Sequence, residues 1–114
     1  MRRMLVICAL IAPTLCAAQE SIGVGSKRFT ESYILGEIAA QTVRSARETN
    51  VVHHRGLGNT AILFAALKSG AIDVYPEYTG TIAIELLREP GGASLTEINS
   101  KLASHGLAAA IRLG

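Results

Sequence analysis

Aromatic side chains are scarce in this sequence. Tryptophan is absent, and the 114 residues include only three tyrosines and two phenylalanines. Two of the tyrosines nevertheless lie in the ten-residue stretch IDVYPEYTGT, from Ile72 to Thr81. A packed core would scatter such rings along the chain, whereas a recognition site gathers them. This stretch is therefore the first candidate for a functional site.

Cysteine is also nearly absent. Both cysteines, Cys8 and Cys16, lie close to the N-terminus. If that segment is removed, the mature chain can form no internal disulfide and has no thiol to ligate a metal or act as a nucleophile.

The first 18 residues have the three-part pattern of a secretory signal peptide. MRRMLVICALIAPTLCAA has a positive start, an apolar run and small residues at its end, which predicts a signal peptide over residues 1–18, cleaved after Ala18. The apolar run is too short for a bilayer, which needs roughly 20 apolar residues. A lipoprotein acylated at Cys16 is the alternative, although Leu15 is bulky where such signals have a small residue. Either way, the expected location is periplasmic or otherwise extracytoplasmic.

An excess of one charge is missing as well. Beyond residue 18, nine Lys and Arg residues balance nine Asp and Glu residues. Nucleic-acid and anionic-membrane binding both depend on a clustered basic patch. The composition gives no support to either kind of partner.

Short apolar runs alternate with helical patterns along the rest of the chain. Apolar runs bounded by turn residues predict strands, and apolar residues three and four apart predict helices. The predicted strands are 21–25, 50–54 and 71–75, with 107–113 as a fourth candidate, and the predicted helices are 30–46, 59–70, 79–87 (a short helix or turn) and 95–106.

Residues that commonly begin or end helices flank these segments. Small polar side chains cap helix N-termini, and glycine suits the left-handed position after a C-terminus. The predicted caps are Thr30 for the first helix, Asn59 or Thr60 before and Gly70 after the second, and a capping box of Ser94 with Glu97 for the last.

Alternating strands and helices predict an α/β fold with βαβ units and a parallel sheet. Ligands of such sheets bind beyond the carboxyl ends of the strands. GSKRFT follows the first predicted strand and YPEYTGT follows the third. The gathered tyrosines therefore lie where this architecture places its site.

The same stretches resemble a known family. GSKRFTESYILGEI, GLGNTAILFAAL and ALKSGAIDVYPEYTGT are similar to the substrate-binding proteins of osmoprotectant ABC importers, which take up glycine betaine, choline, carnitine and related quaternary ammonium compounds. The resemblance implies a type II periplasmic binding fold, with two α/β lobes that close on the ligand. It also implies a membrane permease as partner, and no cofactor, metal or enzymatic activity.

The chain is much shorter than members of that family. Residues 19–114 resemble only the N-terminal part of the first lobe, and the second lobe is missing. We therefore expect a fragment, a truncated product or one piece of a split protein, in the last case with a separate second-lobe chain as a partner.

The chemistry of a quaternary ammonium ligand selects candidate residues. Such a cation has no hydrogen-bond donor, so aromatic faces bind it best, whereas the carboxylate of a betaine needs Lys, Arg or a helix N-terminus. The resemblance assigns ligand contacts to Lys27, Tyr78 and Thr81, with Lys27 and Tyr78 facing each other at the ligand-facing edge. Thr60 is foremost a helix cap and, in the alternative, a ligand contact.

Other interpretations of the conspicuous residues are structural. Tyr75 is expected to pack in the core or beside Pro76, and Asp73 and Glu77 to bond within a hinge or turn. His53 and His54 are adjacent on a strand, face opposite sides and cannot share one metal. The alternatives to a binding protein are a small-molecule enzyme on a nucleotide-binding α/β fold and an inactive fragment.

Overall fold

A computed structural model describes residues 20–47 and 50–113, so the predicted signal peptide and its cleavage site lie outside the described residues. The elements confirm the α/β class. In chain order they are β1 (Ser21–Gly25), α1 (Thr30–Arg47), β2 (Asn50–His54), α2 (Thr60–Ser69), α3 (Thr79–Thr81) continuing as a π-helical turn (Ile82–Leu86), α4 (Leu95–Leu102) and a 3₁₀ turn (Ala103–His105).

The sheet is parallel and centred on β1. One edge of β1 pairs with β2 in a register that runs from Ser21 opposite Asn50 to Gly25 opposite His54. On its other edge, the Gly25 amide donates to the Val74 carbonyl at 2.8 Å. β1 therefore lies between β2 and the segment that leads into the tyrosine-rich stretch.

The predicted third strand, 71–75, is wrong as a full strand. Only an isolated parallel bridge between Val24 and Val74 forms. The amides of Ala71 and Ile72 both donate to the Ala66 carbonyl in α2, so the start of the segment is committed to a helix end. Pro76 has no amide hydrogen with which to extend the pairing.

Helix α1 covers the sheet with one apolar face. Ala40 packs with Val24 and Val51, and Ala39 and Val43 lie against this cluster. Its Ile34 and Ile38 side chains, which contributed to the helical pattern, are exposed. Thr30 is the first residue of α1 and not the flanking cap that the sequence predicted.

Local signals place α2 correctly. The Asn59 side chain accepts a hydrogen bond from the Ile62 amide at 3.2 Å, which is the predicted N-cap interaction. Gly70 follows the helix with φ of 77°, a conformation that glycine adopts without the steric cost of a side chain.

A second apolar cluster lies around α4. The capping box of Ser94 and Glu97 is present as predicted, and Ile98 and Leu102 pack with Ile82. None of the described helices is long and apolar enough to cross a membrane.

The fourth candidate strand, 107–113, is wrong, because these residues have no regular secondary structure. The Asn99 side chain bonds both backbone groups of Ala109: its Oδ1 accepts from the amide at 2.7 Å, and its Nδ2 donates to the carbonyl at 3.0 Å. A single amide side chain thus occupies the donor and acceptor that a neighbouring strand would use.

Candidate functional site

The candidate site lies where β1, the Val74 bridge and α2 meet. β1 ends at Gly25 and is followed by Ser26 and Lys27, while the chain beyond Val74 turns at Pro76 into Glu77 and Tyr78. Because parallel strands end at one edge of a sheet, both motifs arrive at the same place. Thr60, at the start of α2, lies beside them and contacts Lys27.

Lys27 is the centre of this edge. Its Nζ donates to Glu77 Oε1 at 2.6 Å and to Thr60 Oγ1 at 2.9 Å. The side chains of Lys27 and Glu77 are only 9% and 5% exposed. The sequence predicted an accessible Lys27 at a ligand-facing edge; instead the lysine is buried and its charge is paired.

Glu77 links this ion pair to Tyr78. Its Oε1 also accepts from the Tyr78 amide at 2.9 Å, so one oxygen serves two donors. Glu77 was expected to bond locally, and this contact does so, but the ion pair with Lys27 joins residues 50 positions apart. Asp73 was also expected to bond within a hinge or turn, but its Oδ2 accepts from the Gly23 amide at 2.7 Å, 50 positions away.

The second oxygen of Glu77 is different. Oε2 is buried and has no hydrogen-bond partner among the residues that the structure describes. A buried carboxylate oxygen without a donor is costly, so this atom marks the interior of the site as a place that still accepts a donor or a positive charge.

Tyr78 is the accessible aromatic residue of the site. It is 49% exposed, and its hydroxyl donates a hydrogen bond to Glu31 Oε2 in the first turn of α1. This hydrogen bond, together with the nearby charges of Glu31 and Glu77, raises the pKa of Tyr78. Glu77 thus holds the backbone amide of Tyr78, and Glu31 holds the hydroxyl at the far end of its side chain.

The other predicted residues, Thr81, Tyr75 and Thr60, differ in their surroundings. Thr81 is half-buried and ends α3, three residues after Tyr78. Tyr75 is half-buried, and burial raises its pKa, in keeping with the packing role expected for it. Thr60 begins α2, but Asn59 supplies the cap contact, and the Thr60 hydroxyl instead accepts from Lys27.

A buried series of hydrogen-bonded side chains lies beside the site, and the sequence analysis did not predict it. His53 Nδ1 contacts Glu37 Oε2 at 2.8 Å, and His53 Nε2 contacts Ser26 Oγ at 2.9 Å. An ionised carboxylate only accepts hydrogen bonds, so the Nδ1 of His53 carries the proton that faces Glu37. Arg55 adds a hydrogen bond to Glu37 at 3.1 Å.

Ser26, His53 and Glu37 follow one another in the order of a hydrolase triad, but Ser26 is fully buried. A nucleophile must reach its substrate, so we interpret the arrangement as a structural link between α1, β2 and the residue that follows β1. The hydrogen bonds from His53 and then Arg55 lower the pKa of Glu37 to about 2. Glu37 and His53 are 16 positions apart. The one sequence signal for this contact is Gly36, next to Glu37, because a glycine there lets α1 approach His53 closely.

No cluster of metal-ligating side chains occurs in the part of the chain that the structure covers. The site therefore consists of a buried ion pair, a threonine and a half-exposed tyrosine held by two carboxylates.

Comparison with known proteins identifies relatives of this chain. Residues 20–110 match the model of the substrate-binding domain of ABC-type glycine betaine transport systems. The chain belongs to this family. It is 41% identical over 76 residues to the glycine betaine-binding protein YehZ of Escherichia coli K12, and 37% identical over 83 residues to a glycine-betaine-binding protein of Pseudomonas aeruginosa.

The solved structure of apo YehZ from Escherichia coli superposes with a TM-score of 0.63 at 29% sequence identity, covering 75% of this chain and 32% of that one. It confirms that the α/β elements belong to a periplasmic binding fold. The matches span 67% and 73% of this chain but only 24% and 26% of the two curated relatives. This chain therefore corresponds to about a quarter of a full-length family member.

Proposed function

We propose that the chain forms part of the substrate-binding component of an ABC importer for glycine betaine or a related quaternary ammonium compound such as choline or carnitine. The observation that carries this proposal is the position of Tyr78. A half-exposed ring, immobilised by Glu31 and Glu77, lies at the carboxyl edge of a parallel sheet in a chain of this family.

The proposed interaction is a cation–π contact. A quaternary ammonium is attracted by the face of a tyrosine ring, with ~0.5–1 kcal/mol at an exposed site and ~2 kcal/mol when the contact is desolvated. Tyr78 supplies the ring. Thr81, three residues further along the chain, and Thr60, which contacts Lys27, are the proposed further contacts. Since Lys27 is paired with Glu77, we expect Lys27 to bind a ligand carboxylate only after that pair rearranges.

The proposed context is extracytoplasmic. Export directed by residues 1–18, with cleavage after Ala18, would release the chain beyond the inner membrane. There it would present ligand to a membrane permease. The family of the chain and the signal-like N-terminus support this assignment. N-terminal sequencing of the exported protein should find Gln19 first, and a lipidated Cys16 would contradict it.

We further propose that this chain alone is an incomplete binding site. One exposed ring contributes about 0.5–1 kcal/mol, while association costs several kcal/mol in lost translational and rotational freedom. The remaining three-quarters of the relatives would supply the opposing wall of the cleft. The first-lobe interpretation thus predicts weak binding by this chain and strong binding once that wall is added.

Calorimetry with glycine betaine tests the proposal on two proteins: the chain itself, and a chimera in which residues 20–110 replace the matched segment of YehZ. The chimera should bind much more tightly than the chain. In the chimera, Tyr78→Ala should weaken binding about tenfold or more, since one desolvated cation–π contact contributes ~2 kcal/mol.

Tyr75→Ala is the matched control, because that ring is half-buried and should affect stability more than affinity. Micromolar binding by the chain alone would contradict the incomplete site. Equal affinity of the chimera with and without Tyr78 would contradict the assignment of the site itself.

A further inference from the structure

Glu31 stands out because it is the partner of the Tyr78 hydroxyl, although the sequence analysis assigned it no role. It lies in the first turn of α1, 47 residues before Tyr78. We propose that Glu31 is a positioning and charge-selecting residue of the cation site: it holds the Tyr78 ring and favours a cationic ligand over a neutral one of the same shape. This inference rests on the proposed function.

The positioning part follows from the contacts of Tyr78. The amide of Tyr78 is fixed by Glu77 at 2.9 Å, and the hydroxyl at the far end of the side chain is fixed by Glu31. A half-exposed tyrosine would otherwise exchange among rotamers at little cost. With both ends bonded, the ring is preorganised, and less entropy is lost when a ligand binds.

The charge part follows from the pairing of the neighbouring ions. Lys27 and Glu77 form a buried pair whose charges cancel. Glu31 makes no salt bridge with any residue that the structure describes, and it lies in the first turn of α1. The net charge beside Tyr78 is therefore negative.

The phenol transmits this charge to the ring. A hydrogen bond from a phenol to a carboxylate is charge-assisted, and it shifts electron density toward the ring, whose negative face attracts cations. The raised pKa of Tyr78, caused first by Glu31, indicates the same negative surroundings. A neutral ligand of equal shape gains nothing from them.

NMR titration of the full chain tests this inference, because it detects weak binding. The probes are glycine betaine and 3,3-dimethylbutanoate, in which a neutral carbon replaces the nitrogen. The variants are Glu31→Gln, Tyr78→Phe and, as a control, Glu85→Gln at an exposed position elsewhere. The ring signals of residue 78 report binding, and the titration of the Tyr78 phenol reports its contact with Glu31.

Wild type should prefer glycine betaine to 3,3-dimethylbutanoate, which has the same shape and the same carboxylate but lacks the cationic nitrogen. Glu31→Gln should reduce this preference about two- to fivefold, the size of an exposed ionic interaction, and should lower the pKa of Tyr78. Tyr78→Phe should reduce the preference similarly, because it removes the same hydrogen bond. Glu85→Gln should change neither quantity.

The remaining outcomes separate the inference from the proposed function. If wild type binds but Glu31→Gln keeps either the full preference or the wild-type phenol titration, the inference is wrong and the proposed function stands. Equal weakening of both probes would mean that Glu31 only supports the fold, which also overturns it. If neither probe perturbs Tyr78 of wild type even at millimolar concentration, the inference is wrong, and glycine betaine binding by the YehZ chimera decides separately on the proposed function.

Discussion

Gly36 offers a direct test of the buried hydrogen-bonded chain beneath the site. It lies on the face of α1 that contacts the sheet, and a Cβ atom added there would be 2.6 Å from His53 Nε2 and 3.1 Å from Ser26 Cβ. The His53 ring cannot simply withdraw, because Glu37 holds its other nitrogen. We therefore expect Gly36→Ala to destabilise the fold.

The magnitude follows from three contributions. Overpacking a buried contact costs about 2 kcal/mol, and loss of the hydrogen bond between Ser26 and His53 costs about 1 kcal/mol. Replacing glycine by alanine inside a helix recovers up to about 1 kcal/mol. The free energy of unfolding should fall by about 2 kcal/mol, which lowers Tm by roughly 10 °C for a domain of this size.

Thermal and urea unfolding of the full chain measure this change. Gly80→Ala is the matched control, since Gly80 is also helical but a Cβ there meets no atom within 4 Å. Adding His53→Ala should remove the clash, so that alanine at position 36 becomes neutral or stabilising in that background. If Gly36→Ala and Gly80→Ala are equally stable, the close approach of α1 to His53 is not a constraint on the fold.

Two further predictions concern ionised groups. Lys27→Met should lower the free energy of unfolding by about 3–5 kcal/mol, because it leaves Glu77 buried without a counter-charge. Lys27→Met combined with Glu77→Gln should lose much less stability. Urea unfolding of wild type and both variants measures the losses, and equal losses would contradict the buried pair. The pKa of Glu37 is lowered from 4.5 to about 2, so its contribution to stability is present above pH 4.5 and is lost as the pH falls toward 2. Glu37→Gln should flatten that acid limb of the unfolding curve, and an unchanged limb would contradict the interaction of Glu37 with His53.

The parts of the fold that the sequence predicted well depend on local signals. The Asn59 cap, the left-handed Gly70 and the capping box at Ser94 each involve residues within a few positions of one another. Such interactions form wherever the local pattern occurs. They fixed the start and the end of α2 and the start of α4 without any knowledge of tertiary contacts.

The two wrong strand predictions fail because an apolar pattern does not show which backbone groups remain available for pairing. The segments 71–75 and 107–113 have apolar strand-like patterns. In the first, the two leading amides bond to Ala66 at the end of α2, so that only Asp73 and Val74 pair with β1. In the second, the Asn99 side chain bonds the backbone of Ala109.

The site shows the same division. Motif position placed Lys27 and Tyr78 at one edge of the sheet, whereas Thr60 was expected foremost to cap a helix and instead contacts Lys27. The sequence did not indicate that Lys27 would be neutralised by Glu77, 50 residues away. A charged residue in a recognition motif is readily interpreted as facing the ligand, whereas only packing decides whether a counter-charge reaches it first.

This neutralisation changes what the two motifs accomplish together. A ligand carboxylate would have to displace Glu77 from Lys27 at 2.6 Å in a poorly solvated environment, and a displaced, buried Glu77 would be costly. Lys27 can act more cheaply by fixing Glu77, which in turn holds the Tyr78 amide. Glu31, from the same motif as Lys27, holds the Tyr78 hydroxyl. Two residues of the first motif thus act on Tyr78, Lys27 through Glu77 and Glu31 directly. This arrangement supports the proposed recognition of the cationic end of a ligand.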